Sequence, residues 1–512
     1  MPILQSRLAR FLLALAAGAL LALAFPNAAL GFLAFVALAP LIAAVLHAGS
    51  WKEAFLLGGA GYLVTWLINV PWVIHVMVRY GGLSMPVGVA LYLAMALLLS
   101  LYGGLFAFAV WRMRALPPAA FWFGVPAAWA AVEFLRTYLL TGFPWNLLAT
   151  ALVDYTPLIV VASVIGPYGV AVLAMIPATI LGWIAATRGL PKLKLSGAAA
   201  AVALLLCWLG AGLVMLRSID PAAGRPFRAA MLQPNITQEM RWEADTTLRI
   251  FAQMMEMTES AAARGAETIV WPESTVPLTF LRADFYRDAV EEIAARTGAD
   301  IILGSVAEDE ADPDKVWNAA YVITGGSVKG RYDKMHLVPF GEYVPLRKML
   351  FFAKKLVRYV GEFQFGTNDR PLPGAHSYGP AICYEVAFPQ LTARQVGNGA
   401  DVLVTITNDA WFAVTAAPRQ HLDMARLRAV EADRWLLRAA TTGISAAIDP
   451  AGRIAGEIPT GGKGILMADV TARQSRTPYV RFGDWFAWVA AIATIVAVIR
   501  PRGGHDRTRE RR

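Results

Sequence analysis

Charge is scarce in this 512-residue chain: Asp, Glu, Lys and Arg make up 16%, against 57% hydrophobic residues. With a positive mean hydropathy, that balance excludes an ordinary soluble globular protein and implies membrane-crossing segments. Cysteine is scarcer still, with two residues, Cys207 and Cys383. Cys207 lies inside an apolar segment, where a packing role is expected, and Cys383 lies in a polar part of the chain, so no bridge between them is expected. Internal repeats, low-complexity tracts and long linkers are also missing. No basic, aromatic-studded face is present, which excludes a nucleic-acid partner. Ionisable residues are few inside the apolar segments, which argues against a transporter or receptor built around an ion pathway.

The hydrophobicity is unevenly spread. Arg10 to about Arg217 is almost continuously apolar, Ser218 to about Tyr479 has ordinary globular composition, and Trp485 to Ile499 is apolar again before a basic tail. Seven spans are expected near 10–25, 28–47, 54–77, 86–111, 119–138, 156–186 and 196–216, and an eighth at 484–500. The domains expected are therefore 1–217 (membrane), 218–482 (globular) and 483–512 (last span and tail). With eight spans, Arg7, Arg10, Lys52, Arg112, Arg114, Arg188, Lys192, Lys194 and the tail arginines all fall on one side, the cytoplasm. The globular part is then expected outside it. These charges also account for the net +9. Arg7 and Arg10 before a run ending Ala22-Leu23-Ala24 have the layout of a cleavable signal, but the further spans favour retention.

Within the globular part, apolar strands alternate with helical spacing. Strands are expected at 227–233, 267–271, 300–304, 316–324, 330–333, 378–382, 401–407, 444–449 and 465–470. Helices are expected at 244–263, with Leu248, Phe251, Met255 and Ala262 on one stripe, and at 285–297, 386–395 and 419–438. This alternation indicates a layered α/β domain whose chemistry gathers at the carboxyl ends of strands.

Three such ends carry reactive groups. Trp271-Pro272-Glu273 puts a carboxylate past a strand that the proline terminates. Gly379 to Glu385 (GPAICYE) puts Cys383 on a strand-to-helix bend, where backbone N–H groups can stabilise a thiolate and later an oxyanion. Asn408-Asp409 ends a third strand, and Lys334 and Glu342 sit on a loop after a fourth. A thiol nucleophile needs a base for its proton and a cation for the charge that develops. Glu, Lys and Cys from separate strand ends meet that need. His336 is expected to be structural.

The segments WPES, YDKMHLVPFGEYVP, ICYE and TNDAWF, in this order, resemble the nitrilase superfamily, and with the flanking spans the whole chain resembles the apolipoprotein N-acyltransferase family. The resemblance implies an α-β-β-α sandwich on a polytopic helical domain in a bacterial inner membrane, with the catalytic domain on the periplasmic side. It implies acyl transfer in two steps: Cys383 takes a fatty acyl chain from a phospholipid, usually phosphatidylethanolamine, and passes it to the α-amine of a diacylglyceryl-cysteine apolipoprotein. Glu273 would be the base, Lys334 the oxyanion stabiliser and Cys383 the nucleophile. Glu342 would orient the lysine or the base, Tyr384 and Glu385 would shape the pocket, and Trp242 and Asn318 would support the site. Neither a cofactor nor a metal is implied. Where the family usually has Gly and Ser after the last of these segments, this chain has Ala413 and Thr415.

A diacyl donor leaves the bilayer at about 0.8 kcal/mol per exposed methylene, so the site must come to the lipid. Met349 to Val360 mixes Leu350, Phe351, Phe352, Leu356 and Val357 with Lys354, Lys355 and Arg358, a composition suited to an interfacial arm. Glu133, Arg136 and Gly142-Phe143-Pro144-Trp145 are expected near the outer surface, lining the way for lipid. A tethered amidase acting on a soluble amide would use the same three residues but has no need of the spans.

Overall fold

The computed structural model describes residues 2–26, 28–237, 246–276, 279–344, 363–412 and 414–499. Trp242, Ala413, the arm at 349–360 and the tail beyond 499 lie outside the described residues.

The membrane part begins with α1 (Arg7–Leu23), whose first turn is capped by Ser6 Oγ accepting from Ala9 N–H. It continues through α2 (Ala39–Leu46), α3 (Trp51–Asn69), α4 (Trp72–His75), α5 (Met85–Met113), α6 (Pro118–Tyr138), α7 (Thr156–Ile159), α8 (Ala162–Ala186) and α9 (Pro191–Ser218). Helices α5, α6, α8 and α9 are long and apolar enough to cross a bilayer. A fifth such segment is α3 with the helical residues 72–80, bent by 56°. Pro71 causes the bend, because it offers no N–H and disfavours helix at the residue before it.

The expected spans are thus not uniform. The segment at 28–47 is a 3-10 turn (Gly31–Phe35) and the eight-residue α2, and the one at 54–77 is broken. Small residues let the helices approach closely. A Cβ on Gly103 of α5 would lie 2.3 Å from Tyr62 Cβ of α3, and one on Gly18 of α1 would lie 1.8 Å from the Gly61 carbonyl oxygen. Cys207, expected to pack, is exposed on α9.

The globular part forms two six-stranded sheets. In chain order the first half gives β1 (Arg225–Gln233), α10 (Thr246–Ala263), β2 (Thr268–Val270), α11 (Asp284–Thr297), β3 (Asp300–Glu308), β4 (Val316–Thr324) and β5 (Ser327–Asp333). The second gives β6 (Leu372–Pro373), β7 (Ser377–Ile382), α12 (Pro389–Gly397), β8 (Val402–Thr407), α13 (Ala417–Ala432), β9 (Leu436–Ala440), β10 (Ser445–Ile448), β11 (Ile454–Ile458) and β12 (Gly464–Ala472). The sheet orders are β12-β1-β2-β3-β4-β5 and β11-β10-β9-β8-β7-β6. Each has three parallel strands, β1-β2-β3 and β7-β8-β9, with antiparallel neighbours outside them.

The inner faces pack together through Met231, Val270 and Ile302 on one side and Ile382, Val404, Ile406 and Leu437 on the other. Helices α10 and α11 cover one outer face, and α12 and α13 the other. The layers are therefore α-β-β-α. Two short helices, α14 (Pro478–Phe482) and α15 (Trp485–Ile499), return the chain to the membrane part, where Ala487 and Ala490 pack with Ala130 and Tyr168.

Three local expectations are corrected. The helix expected at 419–438 stops at Ala432, Asp433 turns left-handed at φ 51°, and Leu436 begins a strand paired with Leu403 of β8. Parallel pairing in a buried sheet there outweighs local helix preference. The helix expected from 386 is a 3-10 turn, Cys383–Ala387, and α12 starts afresh at Pro389. In α10 the buried stripe is Ile250, Phe251, Met254, Met257 and Ala261, and Leu248 is exposed.

Helix α13 is buried on nearly every side. Leu422, Ala425, Ala429 and Ala432 face the second sheet, while Ala417, Met424, Leu427 and Val430 join the core of the membrane helices. One helix thus belongs to both domains.

Candidate active site

Each reactive side chain leaves a strand end of the sandwich. β2 delivers Glu273, β5 Lys334 and β7 Cys383. Glycine at 304 makes room for the first, since a Cβ there would sit 2.8 Å from Glu273 Cα. Glu273 is buried, and its Oε2 accepts from Asn408 N–H at the end of β8 (2.8 Å). Its Oε1 accepts from Asn318 Nδ2 of β4 (2.7 Å) and lies 3.7 Å from Lys334 Nζ. Lys334 Nζ donates to Glu342 Oε1 at 2.9 Å, and Asn318 Nδ2 donates to the same oxygen at 2.9 Å. Glu342 in turn is fixed by Val338 N–H on Oε2 (2.8 Å). Asn318 and Glu342 thus hold the Glu273 carboxylate and the Lys334 ammonium at a set separation.

Burial alone would depress the Lys334 ammonium, but the Glu342 and Glu273 carboxylates hold it well above the ordinary lysine value. It remains charged at any physiological pH.

Cys383 takes φ 51°, a left-handed conformation costly for a residue with a Cβ. Glu385 holds the bend. Its Oε2 accepts from Ile382 N–H (2.8 Å) and its Oε1 from Met335 N–H (2.7 Å), His336 N–H (3.1 Å) and the Tyr332 hydroxyl (2.9 Å). One carboxylate therefore ties the cysteine bend to the loop that carries Lys334. Burial raises its carboxyl to about 7, against the pull of the Ile382, His336 and Met335 amides and of Lys334. The Cys383 thiol is raised by burial and by Glu273, and Lys334 offsets this in part.

This arrangement belongs with what the sequence comparisons show. The sequence model of the carbon-nitrogen hydrolase family matches residues 228–479, and that of the apolipoprotein N-acyltransferase N-terminal domain matches residues 17–180. An apolipoprotein N-acyltransferase of Geobacter metallireducens is 34% identical over 497 residues, 95% of each chain. One from Pseudomonas putida is 34% identical, covering 93% of each chain. The chain belongs to the apolipoprotein N-acyltransferase family.

In this acyltransferase the remaining expected residues fall as follows. Asn318 and Glu342 join the Glu–Lys–Cys group directly. Tyr384 packs beside it, its hydroxyl donating to the Gly142 carbonyl of the membrane part (3.2 Å) and its ring stacked on Trp145. Trp145 is wholly enclosed rather than surface-lining, between Tyr384, His421 and Trp72. Arg136 is buried too, with Nη1 donating to the Trp145 carbonyl (2.8 Å). The His336 ring lies against Phe388, tilted by 37° with ring centroids 3.6 Å apart, and burial lowers it to about 4, so it is neutral.

Sequence reasoning missed what lies behind Cys383. His421 Nε2 is 3.0 Å from the Cys383 carbonyl oxygen, and Asp409 and Arg438 flank its other nitrogen. Asp409 is held near 2, the Arg438 guanidinium outweighing its burial. The signal was faint: one histidine in a helix, and an arginine in what reads as the same helix.

Proposed function

We propose that this enzyme transfers a fatty acyl chain from a membrane phospholipid, through a thioester on Cys383, to the N-terminal amine of a diacylglyceryl apolipoprotein. The observation that carries the reading is the meeting of Glu273, Lys334 and Cys383 from three strands at one buried place. In the first step the Cys383 sulfur attacks the donor's ester carbonyl and its proton passes to Glu273. Lys334 and the Tyr384 N–H, a first-turn amide with no intrahelical acceptor, stabilise the oxyanion. Collapse expels the lysophospholipid alkoxide, which takes the proton back from Glu273. In the second step the acceptor amine attacks the thioester, Glu273 takes its proton, and the leaving thiolate is reprotonated.

A lipid donor is supported by the placement of the site. Tyr384, Ala387 and Phe388, immediately after the nucleophile, pack in the same core as the membrane helices. A soluble-amide amidase has no use for that union. Phosphatidylethanolamine as donor, eight spans and a periplasmic catalytic domain complete the reading, with the lysine and arginine bias as its support.

Incubating the full-length protein with phospholipid alone should add one fatty-acyl mass to the peptide containing Cys383, removable by neutral hydroxylamine and absent in Cys383→Ala. An unmodified Cys383 in turning-over enzyme would refute the covalent route. For sidedness, alkaline phosphatase fused near residue 300 should be active, and a fusion active only as a cytoplasmic reporter would overturn the orientation.

A further inference from the structure

Gln420, in α13 of the catalytic domain, is buried to 1% exposure and its amide is fully engaged by the membrane part. Its Oε1 accepts from Trp145 Nε1 (2.7 Å) and Trp72 Nε1 (3.3 Å). Its Nε2 donates to the Pro26 carbonyl (2.8 Å) and the Asn69 carbonyl (3.0 Å). The Asn69 carbonyl belongs to the last residue of α3, just before the Pro71 break, where a backbone acceptor is left without its helical partner. Four separate points of the membrane part thus close on one side chain.

The next residue, His421, is turned about 100° further round the helix and faces the nucleophile. Because a carbonyl only accepts, the 3.0 Å contact to the Cys383 oxygen requires a hydrogen on His421 Nε2. Nδ1 lies 3.1 Å from both Asp409 Oδ1 and Arg438 Nη2, and with the hydrogen on Nε2 it accepts from Arg438. Arg438 and Thr407 hold Asp409 beside it, at 2.7 Å and 2.8 Å. Burial and Arg438 lower His421 against the pull of Asp409, which favours the neutral ring, and the Cys383 carbonyl then places its hydrogen on Nε2.

The Cys383–Tyr384 peptide is trans, so the Tyr384 N–H points opposite to the carbonyl that His421 holds. Holding that oxygen therefore aims the N–H. A strained φ persists only where its surroundings hold it: Glu385 ties the Ile382 N–H before Cys383, and His421 holds the Cys383 carbonyl after it.

We propose that Gln420 and His421 are positioning residues through which the membrane helices set the oxyanion-binding N–H of Tyr384. The inference rests on the reading of Cys383 as the acyl-accepting nucleophile. It separates two reactions of the same sulfur. Attack on an ester builds an oxyanion and needs the aimed N–H, while alkylation by iodoacetamide builds none.

In full-length enzyme in phospholipid vesicles, His421→Phe should form the Cys383 thioester about 10–100-fold more slowly, with iodoacetamide alkylation of Cys383 within about twofold of wild type. His421→Gln, whose amide can still donate to the Cys383 carbonyl, should recover most of the loss. Gln420→Met, close in size but unable to hold the four partners, should show the same split. Parallel falls in both reactions, or an unchanged thioester rate in both His421→Phe and Gln420→Met, would overturn the inference alone. A wild-type enzyme that forms no thioester would overturn the covalent reading, and this inference with it.

Discussion

At the scale of single residues, burial and the Glu273 carboxylate both push the Cys383 thiol up, and Lys334 offsets them only in part. In the proposed mechanism the resting Cys383 thiol therefore carries its proton, which passes to Glu273 as the ester arrives. That differs from a preformed thiolate, and the difference is measurable. A raised thiol pKa leaves a thiolate fraction that grows about tenfold per pH unit below the pKa. Alkylation of Cys383 by iodoacetamide should accordingly climb about tenfold per unit from pH 7 to 9. A plateau reached near pH 7 would show a resting thiolate and remove the need for Glu273 as base. The residues of this chemistry were legible because each stands where a strand stops: Glu273 past Trp271-Pro272, Lys334 after β5, Cys383 after β7. Asn318 lies inside β4, where the strand pattern gives no signal, and only the family resemblance pointed to it. His421 and Gln420 had no such help, since their roles depend on partners 38 and 275 residues distant, Cys383 and Trp145.

At the scale of elements, the nine expected strands were read close to their observed limits, β6, β9 and β11 were not foreseen, and the helices were read less well. A strand in the buried sheets is a short apolar run, and turn residues mark its ends. Helices failed where tertiary contacts decide. The run from 419 to 438 has helical composition throughout, yet its last six positions hold the turn at Asp433–Trp435 and the start of β9. The segment at 54–77 reads as one span because Pro71 is a single interruption in a long apolar run, and only the fold shows that the bend supplies a carbonyl to Gln420. Packing between α3 and α5 is the element contact most open to test. A valine at 103 would place its Cβ 2.3 Å from Tyr62 Cβ, and overpacking of this kind costs about 1–3 kcal/mol. Gly103→Val should lower the melting temperature of the detergent-solubilised enzyme by several degrees, as read by the loss of intact monomer after heating. An unchanged melting temperature would mean that the two helices separate at no cost.

At the scale of the whole molecule, the composition boundary near Ser218 marks a real change of fold but not a boundary of packing. The core of the membrane helices includes Ala417, Met424, Leu427 and Val430 of α13 and Tyr384, Ala387 and Phe388 beside the nucleophile. Further polar ties run across the junction: Arg426 Nη1 donates to Asp154 (2.6 Å), and Tyr80 donates to the Ala410 carbonyl (3.2 Å). Cutting the chain at the composition boundary would leave the apolar face of α13 in water, at about 25 cal/mol for each Å² exposed. It would also free Gln420 from all four of its partners. A fragment of residues 218–482 should therefore be recovered mostly as aggregate, and any soluble fraction should fail to take an acyl group onto Cys383 from a short-chain ester that the full-length enzyme accepts. Coexpressing residues 1–217 with 218–512 should restore part of the acylation, because the second piece keeps α15 to seat it against α6 and α8. A soluble 218–482 fragment that forms the hydroxylamine-sensitive thioester at the full-length rate would show that the membrane helices only tether the domain and contribute nothing to its chemistry.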